Sequence, residues 1–381
     1  MPRIPSETTR TLRVRLKDRH AGFLCEQARE VNFVWNYCNE LSLRILQREG
    51  RFCSNIELDR HTAGATKEGL SLHSQTVQAI SKELVTRRRQ FRKQRLAWRK
   101  STGARRSLGW IPVKASALRY RGGQVWYCGR PLSLWDSYGL HRYELGTGSF
   151  SEDSRGRWYL NVTVTVKSAQ AHNRVERWVG IDLGLKEFLA TSVGARTEAH
   201  QFYRDLEPKI AAAQRAHQPK RVKALHAKVA NRRKDALHKL STTLVKEYGA
   251  IFIGNVNASG LAKTRAAKSV LDAGWSTFRT MLQYKCADAG VWFEEVNEAY
   301  STQTCSCCTS RTGPKGVAGL GIRNWVCEVC GTPHDRDVNA AKNILITGML
   351  SRAAGTALQE GQSQPSFAAG RGRLAEGIPV L

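Results

Sequence analysis

The stretch STQTCSCCTSRTGPKGVAGLGIRNWVCEVCGTPHDRDVNAAKNIL, residues 301–345, holds two Cys-x-x-Cys pairs followed at once by an acidic run. Eighteen residues separate Cys305 and Cys308 from Cys327 and Cys330. This spacing lets four thiolates converge on one tetrahedral ion, and it predicts a structural Zn²⁺ site. Because a closed set of four thiolates leaves no open coordination position, we expect this zinc to fold a ribbon and not to catalyse.

The other cysteines lack this spacing. Cys307 is an extra thiol inside the first pair that could compete as a ligand, but its i+2 position turns it away from the metal. The rest are expected to be small apolar packing residues. They are Cys25, Cys38, Cys53, Cys128 and Cys286.

Three aspartates form the second group of candidate ligands. Asp182 follows the apolar run Trp178 to Ile181, where an unpaired carboxylate is costly, so a functional partner is predicted. Asp335 and Asp337 stand just before NAAKNIL, and Asp337 or Asn339 could instead cap that helix. Brought together, three acids in so basic a chain predict a site for two Mg²⁺ ions about 4 Å apart that hold a phosphodiester during attack by water.

The composition predicts a polyanionic partner. The 381 residues include 60 Lys and Arg against 32 Asp and Glu, a formal charge of +28. With 41% hydrophobic residues and 10 Trp the chain can form two or three cores, which excludes a disordered basic tail protein. No apolar run approaches the ~20 residues of a membrane span, and the first residues lack the apolar part of a secretory signal. We therefore expect a cytoplasmic protein, associated with the nucleoid, and no membrane partner.

The order of elements changes along the chain. Residues 9–16 alternate apolar and basic side chains as a strand does, and residues 21–46 carry the apolar spacing of an amphipathic helix. Residues 82–106 hold eleven Lys and Arg against one acid, with aromatic residues interleaved, which favours a nucleic-acid face over a merely solvated one. Residues 110–168 are short aromatic and β-branched runs typical of a small barrel or sandwich, and an α/β layer follows.

Five segments carry a family resemblance: GIDLGLKEFLATS, KVANRRKDALHKLSTTLV, AYSTQTCSCC, WVCEVCG and HDRDVNAAKNIL. In this order and spacing, from about residue 8 to 348, the chain resembles the TnpB family of transposon-encoded RNA-guided DNA endonucleases, which are related to type V CRISPR effectors. The resemblance implies a guide RNA made from the transposon end, a short flanking motif read on double-stranded target DNA, and cleavage of the unwound DNA.

The resemblance also implies a multidomain α+β fold. A wedge β-barrel is expected at 1–17 and 107–172, with a helical recognition lobe inserted at 18–106. A RuvC nuclease domain of RNase H-like α/β fold is expected at 173–302 and 331–350, interrupted by a zinc ribbon at 303–330. Residues 351–381 are rich in Ala, Gly, Gln and Ser and are expected to be disordered.

One departure from the family concerns the second catalytic acid. Asp182 and Asp337 match the first and third acids, and Asp335 is the alternative third acid, but Gly254 and Asn255 occupy the place of the usual Glu. The next strand, 291–296, is expected to pair in parallel with 251–255. Glu298 would follow that strand, and Gly254 leaves room for it to lean across. Glu298 is thus predicted as the relocated acid, with Glu294 and Glu295 weaker candidates.

Polar and basic residues of three segments are candidate nucleic-acid contacts. The segment 72–78 corresponds to the lobe that reads the flanking motif in relatives, and its polar groups can contact base edges. The basic run and the helix containing NRRKD could follow a phosphate backbone, although a solvated helix face explains the latter equally well. The predicted contacts are Ser74, Gln75, Gln78, Arg87, Arg88, Arg92, Arg232 and Arg233.

Three functions remain open from the sequence. The first is an active Mg²⁺-dependent endonuclease, a monomer on one RNA, that uses Asp182, Glu298 and Asp337. The second is a nuclease-inactive RNA-guided DNA-binding protein that acts as a repressor, as the loss at Gly254 suggests. The third is a zinc-ribbon DNA-binding accessory of a transposon that uses no RNA.

Overall fold

The computed structural model describes residues 7–167, 176–256, 261, 267–316 and 318–360. The chain divides into two compact units, one formed by Pro5–Ser168 with Leu206–Lys228 and the other by Ala169–Asp205 with Val229–Leu381 and Met1–Ile4. In the described part of the chain, no helix is long and apolar enough to cross a membrane.

The first unit contains an antiparallel sheet of seven strands in the order β2-β6-β7-β1-β5-β4-β3. The strands are β1 Glu7–Leu16, β2 Trp110–Val113, β3 Arg119–Arg121, β4 Gln124–Tyr127, β5 Arg130–Trp135, β6 Leu145–Glu152 and β7 Trp158–Lys167. Alternate side chains of β1, such as Leu12 and Val14, are buried, which is the period of two that the sequence predicts. Among the described residues no ladder joins β2 to β3, so these two strands form the edges of the sheet.

Helices α1 Ala21–Glu49 and α3 Ser74–Phe91 contact strand β2 of this sheet, and α2 Asn55–His61 contacts α3. The unit also contains α4 Glu207–Arg215. The buried side chains of α1, including Leu24, Val31 and Cys38, recur at helical spacing and belong to the same core as the sheet. The amide of Asn39 both donates to and accepts from the backbone of Leu96, which holds the segment after α3 along α1. The amphipathic helix predicted at residues 21–46 is confirmed.

The second unit contains a mixed sheet of five strands in the order β10-β9-β8-β11-β12. The strands are β8 Trp178–Leu183, β9 Glu187–Thr191, β10 Arg196–Glu198, β11 Ala250–Gly254 and β12 Trp292–Val296. β11 runs parallel to both β8 and β12, and the predicted parallel pairing of β11 with β12 is confirmed. The carboxyl ends of three neighbouring parallel strands therefore meet at one edge, where α/β proteins place their sites.

The helices of this part of the chain are α5 Pro219–Glu247, α6 Ala267–Ala273, α7 Trp275–Ala289 and α8 Arg336–Glu360. Gly274, whose φ of +70° is left-handed, separates α6 from α7. α8 packs directly on the sheet, because a side chain at Gly180 or Gly348 would overlap Leu345 or Phe252 respectively. These glycines allow the helix backbone to approach the strands closely.

Two short strands, β13 Asn324–Val326 and β14 Pro333–Asp335, form an antiparallel hairpin that leads into α8. The expected disorder from residue 351 onward is wrong for 351–360, because α8 continues to Glu360. Seven of the ten residues of SRAAGTALQE are good helix formers, which favours continuation of the helix there. The rest of the expected tail, 361–381, lies outside the described residues.

Candidate active site and metal centre

The four thiols predicted as metal ligands come together. The sulfur atoms of Cys305, Cys308, Cys327 and Cys330 all lie within 4.8 Å of one another. Two of the Sγ–Sγ distances, Cys305–Cys330 and Cys308–Cys327, are 3.6 Å. This arrangement can hold one tetrahedral ion such as Zn²⁺. Cys307 is exposed and outside the cluster, as its i+2 position predicts.

Hydrogen-bond donors surround these thiols. The Ser310 and Thr312 hydroxyl groups lie 3.3 and 3.4 Å from the Cys327 sulfur and, with backbone N–H groups, lower the pKa of Cys327 to about 5. Burial instead raises the pKa of Cys305 to about 11. The Nε2 atom of His334 lies 3.0 Å from the Cys305 sulfur, and this contact was not predicted from the sequence. The donors around Cys327 favour its thiolate, which is the form that binds metal.

The predicted catalytic acids line one cleft. Asp182, Glu298 and Asp337 all border a cleft of about 380 Å³. Asp182 belongs to β8, Glu298 follows β12 by two residues, and Asp337 lies in the first turn of α8. Each acid thus comes from a different element. The order of strands places Asp182 and Glu298 at the same sheet edge, and the first turn of α8 brings Asp337 to the same cleft.

Glu298 fills the space beside Gly254. A Cβ atom at Gly254 would overlap the Glu298 carboxylate and lie 3.2 Å from the Glu298 Cβ. Gly254 ends β11, the strand between β8 and β12, and Ile253 on β11 pairs with Ile181 beside Asp182. The Asn255 side chain accepts a hydrogen bond from the Glu298 backbone at 3.3 Å. The carboxylate therefore lies over the strand whose own acid is missing.

The cleft is unfavourable for negative charge. Burial, together with the Asp337 and Glu298 carboxylates, raises the pKa of Asp182 to about 8. Burial also raises the pKa of Glu298, which the Arg279 guanidinium partly opposes. Carboxyl groups with a raised pKa are found where a cation or a proton compensates clustered negative charge.

Arg323 is a cleft residue that sequence reasoning missed. Its Nη1 atom donates to both oxygens of Asp337, at 2.9 and 2.7 Å. In the part of the chain that the structure describes, the four thiols are the only group of three or more metal-ligating side chains whose ligand atoms all lie within 4.8 Å of one another. The carboxylate oxygens of the three acids are therefore farther apart than the four sulfur atoms. No local pattern around Arg323 distinguishes it from the chain's other basic residues. Only the hairpin geometry brings it to Asp337.

Asp335, the alternative third acid, has other partners. Its Oδ1 atom accepts from the Val338 backbone at 3.0 Å, and its Oδ2 atom pairs with Arg196 at 2.7 Å. Asp335 therefore caps α8, which is the role that the sequence analysis considered for Asp337 or Asn339. Asn339 instead donates to the carbonyl groups of Ser301 and Thr304.

The three polar residues predicted to read bases lie at the start of α3. Ser74 and Gln78 are exposed and Gln75 is half-buried. Gln75 accepts from the Ser116 hydroxyl at 2.6 Å, and Gln78 accepts from the Lys114 amine at 2.8 Å. Their amide N–H groups remain available as donors, so their predicted role stays a prediction.

The predicted arginine contacts differ in their surroundings. Arg92 and Arg232 are exposed, and Arg87 pairs with Glu83 at 2.6 Å. Arg233 forms an ion pair with the buried Asp272 at 2.6 Å, which gives it a structural partner. The remaining residue is Arg88, which is buried and has a hydroxyl partner in place of an acid.

Two family models and several known proteins match this chain. Residues 275–344 match the family model described as Cas12f1-like, TNB domain, and residues 161–265 match the model described as Probable transposase. A putative RNA-guided DNA endonuclease of Streptomyces pristinaespiralis is 32% identical over 292 residues, 70% of each chain. This chain belongs to the TnpB family. TnpB-like protein L79 of Acanthamoeba polyphaga mimivirus is 26% identical over 58% of this chain and 45% of the relative.

Other relatives of this TnpB family member agree. The putative RNA-guided DNA endonuclease InsQ of Escherichia coli K12 is 27% identical over 55% of this chain and 58% of the relative. A solved complex of Cas12f1 with its guide RNA and target DNA has a TM-score of 0.56 at 12% identity, covering 89% of this chain and 99% of that one. At this identity the likeness concerns the fold, and it agrees with a mixed helix and sheet architecture.

Proposed function

We propose that this TnpB family member is an RNA-guided DNA endonuclease of a transposon that uses Asp182, Glu298 and Asp337 as ligands for Mg²⁺. The observation that carries the proposal is the Glu298 carboxylate beside Gly254, in the same cleft as the other two acids. A TnpB chain without the usual second Glu would otherwise have two carboxylates for two dications, which hold them poorly.

The donor set suits the metal. Carboxylate oxygens are the ligands that Mg²⁺ prefers. Burial raises the pKa of both Asp182 and Glu298, and a bound cation would stabilise their ionised forms. When bound, Mg²⁺ ions would polarise the phosphodiester and promote attack by water. The protein's own part is to hold the three carboxylates at one sheet edge and to leave the cleft open to a DNA strand.

Basic residues of the cleft would receive the DNA backbone. Lys186, Arg323 and Arg336 also line it, so positive groups surround the acids. Arg323 holds Asp337 through two hydrogen bonds. We infer that Arg323 exchanges this carboxylate for a phosphate oxygen when the metal and the DNA bind, because guanidinium groups bind both anions in the same geometry.

The domains are assigned on the same basis. We assign the five-stranded sheet with α8 to a RuvC nuclease domain, the thiol hairpin to a zinc ribbon, and the seven-stranded sheet with α1 to α3 to the wedge and recognition lobe. The partners are a guide RNA and double-stranded target DNA, because relatives are named RNA-guided DNA endonucleases and the similar Cas12f1 chain was solved with both. One chain on one RNA is the assembly we propose.

The test is cleavage by the purified protein. The protein would be prepared with RNA from the transposon end and incubated with Mg²⁺ and a plasmid library that carries the matching target beside randomised flanks. Asp182→Ala and Glu298→Ala should each abolish cleavage. Glu294→Ala is the matched control, because its carboxylate accepts from Ser351 and is not part of the cleft.

A second function is favoured by one observation, the glycine at the usual position of the catalytic Glu. A guided DNA-binding protein without nuclease activity would bind the target but leave it intact. Target binding without cleavage by the wild-type protein would therefore replace the proposed function with this one. Absence of copurified RNA would contradict both.

A further inference from the structure

Arg88 is a buried arginine without an acidic partner. It lies on α3 with only 4% of its surface exposed. Its Nη1 atom donates to the Ser42 hydroxyl, while Nε and Nη2 are buried and have no hydrogen-bond partner. Across the described residues the structure pairs no carboxylate with Arg88. Two of its N–H-bearing nitrogens thus have no acceptor in the structure.

This arrangement is costly for the protein alone. Burial lowers the pKa of Arg88, and the only group that opposes this effect is the thiol of Cys53. A buried guanidinium without an anion loses its hydration, and each unsatisfied N–H group adds to that cost. Residues kept at such a cost are often part of a binding site.

The surroundings of Arg88 form a cavity suited to an anion. The cavity has a volume of about 410 Å³ and is also lined by Phe52, Arg89 and Arg92. Both of these arginines are exposed, so three guanidinium groups border the same space. No acidic side chain lines it. Three cations without an acid make a site for a doubly charged group and not for a metal or a neutral ligand.

Phe52 indicates which anion fits. Its ring lies over the Arg88 guanidinium, 5.3 Å from the Cζ atom, yet 52% of its surface is exposed. An exposed aromatic ring beside several arginines is the usual platform for a nucleobase. A phosphate next to the arginines and a base on the ring would together match one nucleotide of a strand.

We propose that this cavity binds one phosphate group of a nucleic-acid strand, with Arg88 as the buried anchor and Phe52 as the stacking surface. The inference rests on the proposed nucleic-acid function, and it assigns one nucleotide subsite within the basic segment. Binding requires Phe52 to move off the guanidinium, after which the Nη2 atom can donate to a phosphate oxygen. The exposed Arg89 and Arg92 would neutralise the remaining charge.

The test compares Arg88→Met with Lys82→Met in the full chain. Lys82 is exposed on the same helix outside the cavity, so both variants lose one charge. Both carry Glu298→Ala and are studied without Mg²⁺, so the result does not depend on cleavage. The affinity for labelled single-stranded RNA and DNA is measured by fluorescence anisotropy against salt concentration.

We expect Arg88→Met to weaken binding about 10-fold or more and to reduce the salt slope by about 0.7, the loss of one phosphate contact on a single strand. The arm, RNA or DNA, that shows this loss identifies the strand. Equal affinity and slope in the two variants would overturn the proposal. Arg88→Gln, which keeps a donor for Ser42, should show the same loss if the methionine variant does not fold.

Thermal unfolding with inorganic phosphate provides the second readout. Phosphate should raise the Tm of the wild-type chain more than that of Arg88→Met, and without any anion the variant should be at least as stable as the wild type. A phosphate effect that requires Arg88, combined with unchanged oligonucleotide binding, would mean an adventitious ion only and would overturn the nucleic-acid assignment. If Glu298→Ala did not reduce cleavage, the proposed catalytic role of Glu298 would be wrong, but these binding results would be unaffected.

Discussion

The Glu298 carboxylate occupies the space that a side chain at position 254 would need. Gly254 is the last residue of β11, and Glu298 follows the neighbouring parallel strand β12 by two residues. β11 lies between β12 and β8, the strand that carries Asp182. A side chain at position 254 and the Glu298 carboxylate in its present place therefore exclude each other. This pair explains how a chain with a glycine in place of the second acid can keep three carboxylates in its cleft.

Gly254→Ala should displace Glu298 without unfolding the protein. The added methyl group overlaps the carboxylate and would also lie 3.2 Å from the Ile344 side chain, so the Glu298 side chain must move. We expect cleavage to fall by at least about 10-fold, since a ligand displaced by ~1 Å is costly to catalysis. Gly22→Ala, where a Cβ meets nothing within 4 Å, is the control. Unchanged cleavage by Gly254→Ala would mean that Glu298 is not part of the site.

Asp182 should make the metal-free protein less stable as pH rises. Its pKa is raised from 3.8 to about 8, so between these values the unfolded chain releases the proton that the folded chain retains. The free energy of unfolding therefore falls as pH rises from about 4 to 8. Asp182→Asn should raise the metal-free Tm at pH 8 by roughly 2–4 °C or more, and much less at pH 4.

Excess Mg²⁺ supplies the control for this pH effect. It should raise the Tm of the wild-type protein at pH 8 but not that of Asp182→Asn, because the cation binds the ionised carboxylate. A variant with the same pH profile as the wild type would show that Asp182 does not titrate in this range.

Arg323→Met should separate metal binding from catalysis. Removing the guanidinium frees Asp337, so the Mg²⁺ concentration that gives half-maximal cleavage should fall. The maximal rate should fall as well, by about 100-fold, if Arg323 contacts the phosphate in the transition state. Rates measured over a range of Mg²⁺ concentrations distinguish the two effects. A variant with an unchanged maximal rate would limit Arg323 to an ion pair.

His334→Ala should weaken the thiol site. The His334 ring lies 3.0 Å from the Cys305 sulfur and stacks on Trp325 at 4.7 Å, so it can donate to a thiolate and hold it in place. Loss of such a partner lowers metal affinity by about 10–100-fold. Zn²⁺ competition with a chelator, and the visible spectrum of the Co²⁺ form, measure this change. His61→Ala, an exposed histidine on α2, should leave both unaltered.

Local patterns predicted the parts of the fold that depend on period and spacing. Leu12 and Val14 of β1 are buried at alternate positions. The thiols of the two Cys-x-x-Cys pairs converge, as the spacing within and between the pairs predicts. Glu298 required one further step, the parallel pairing of β11 with β12, which the alternation of strands and helices supplied.

Other features depend on contacts between distant residues. Arg323 reaches Asp337 only because the β13–β14 hairpin folds back to α8, and Asp335 rather than Asp337 caps that helix. Arg233 faces Asp272 on α6, although its sequence neighbours resemble a phosphate-binding helix. Which basic residue meets an acid, and which stays unpaired like Arg88, is decided by tertiary packing.

The most direct test removes the glutamate at position 298 and introduces one at position 254. Target cleavage with guide RNA and Mg²⁺ would be measured for the wild type, for Glu298→Ala, and for Glu298→Ala combined with Gly254→Glu. Because the new side chain would enter the space that Glu298 vacates, we expect the wild type and the double variant to cleave and the single variant to be inactive. Cleavage by Glu298→Ala at the wild-type rate would contradict the account.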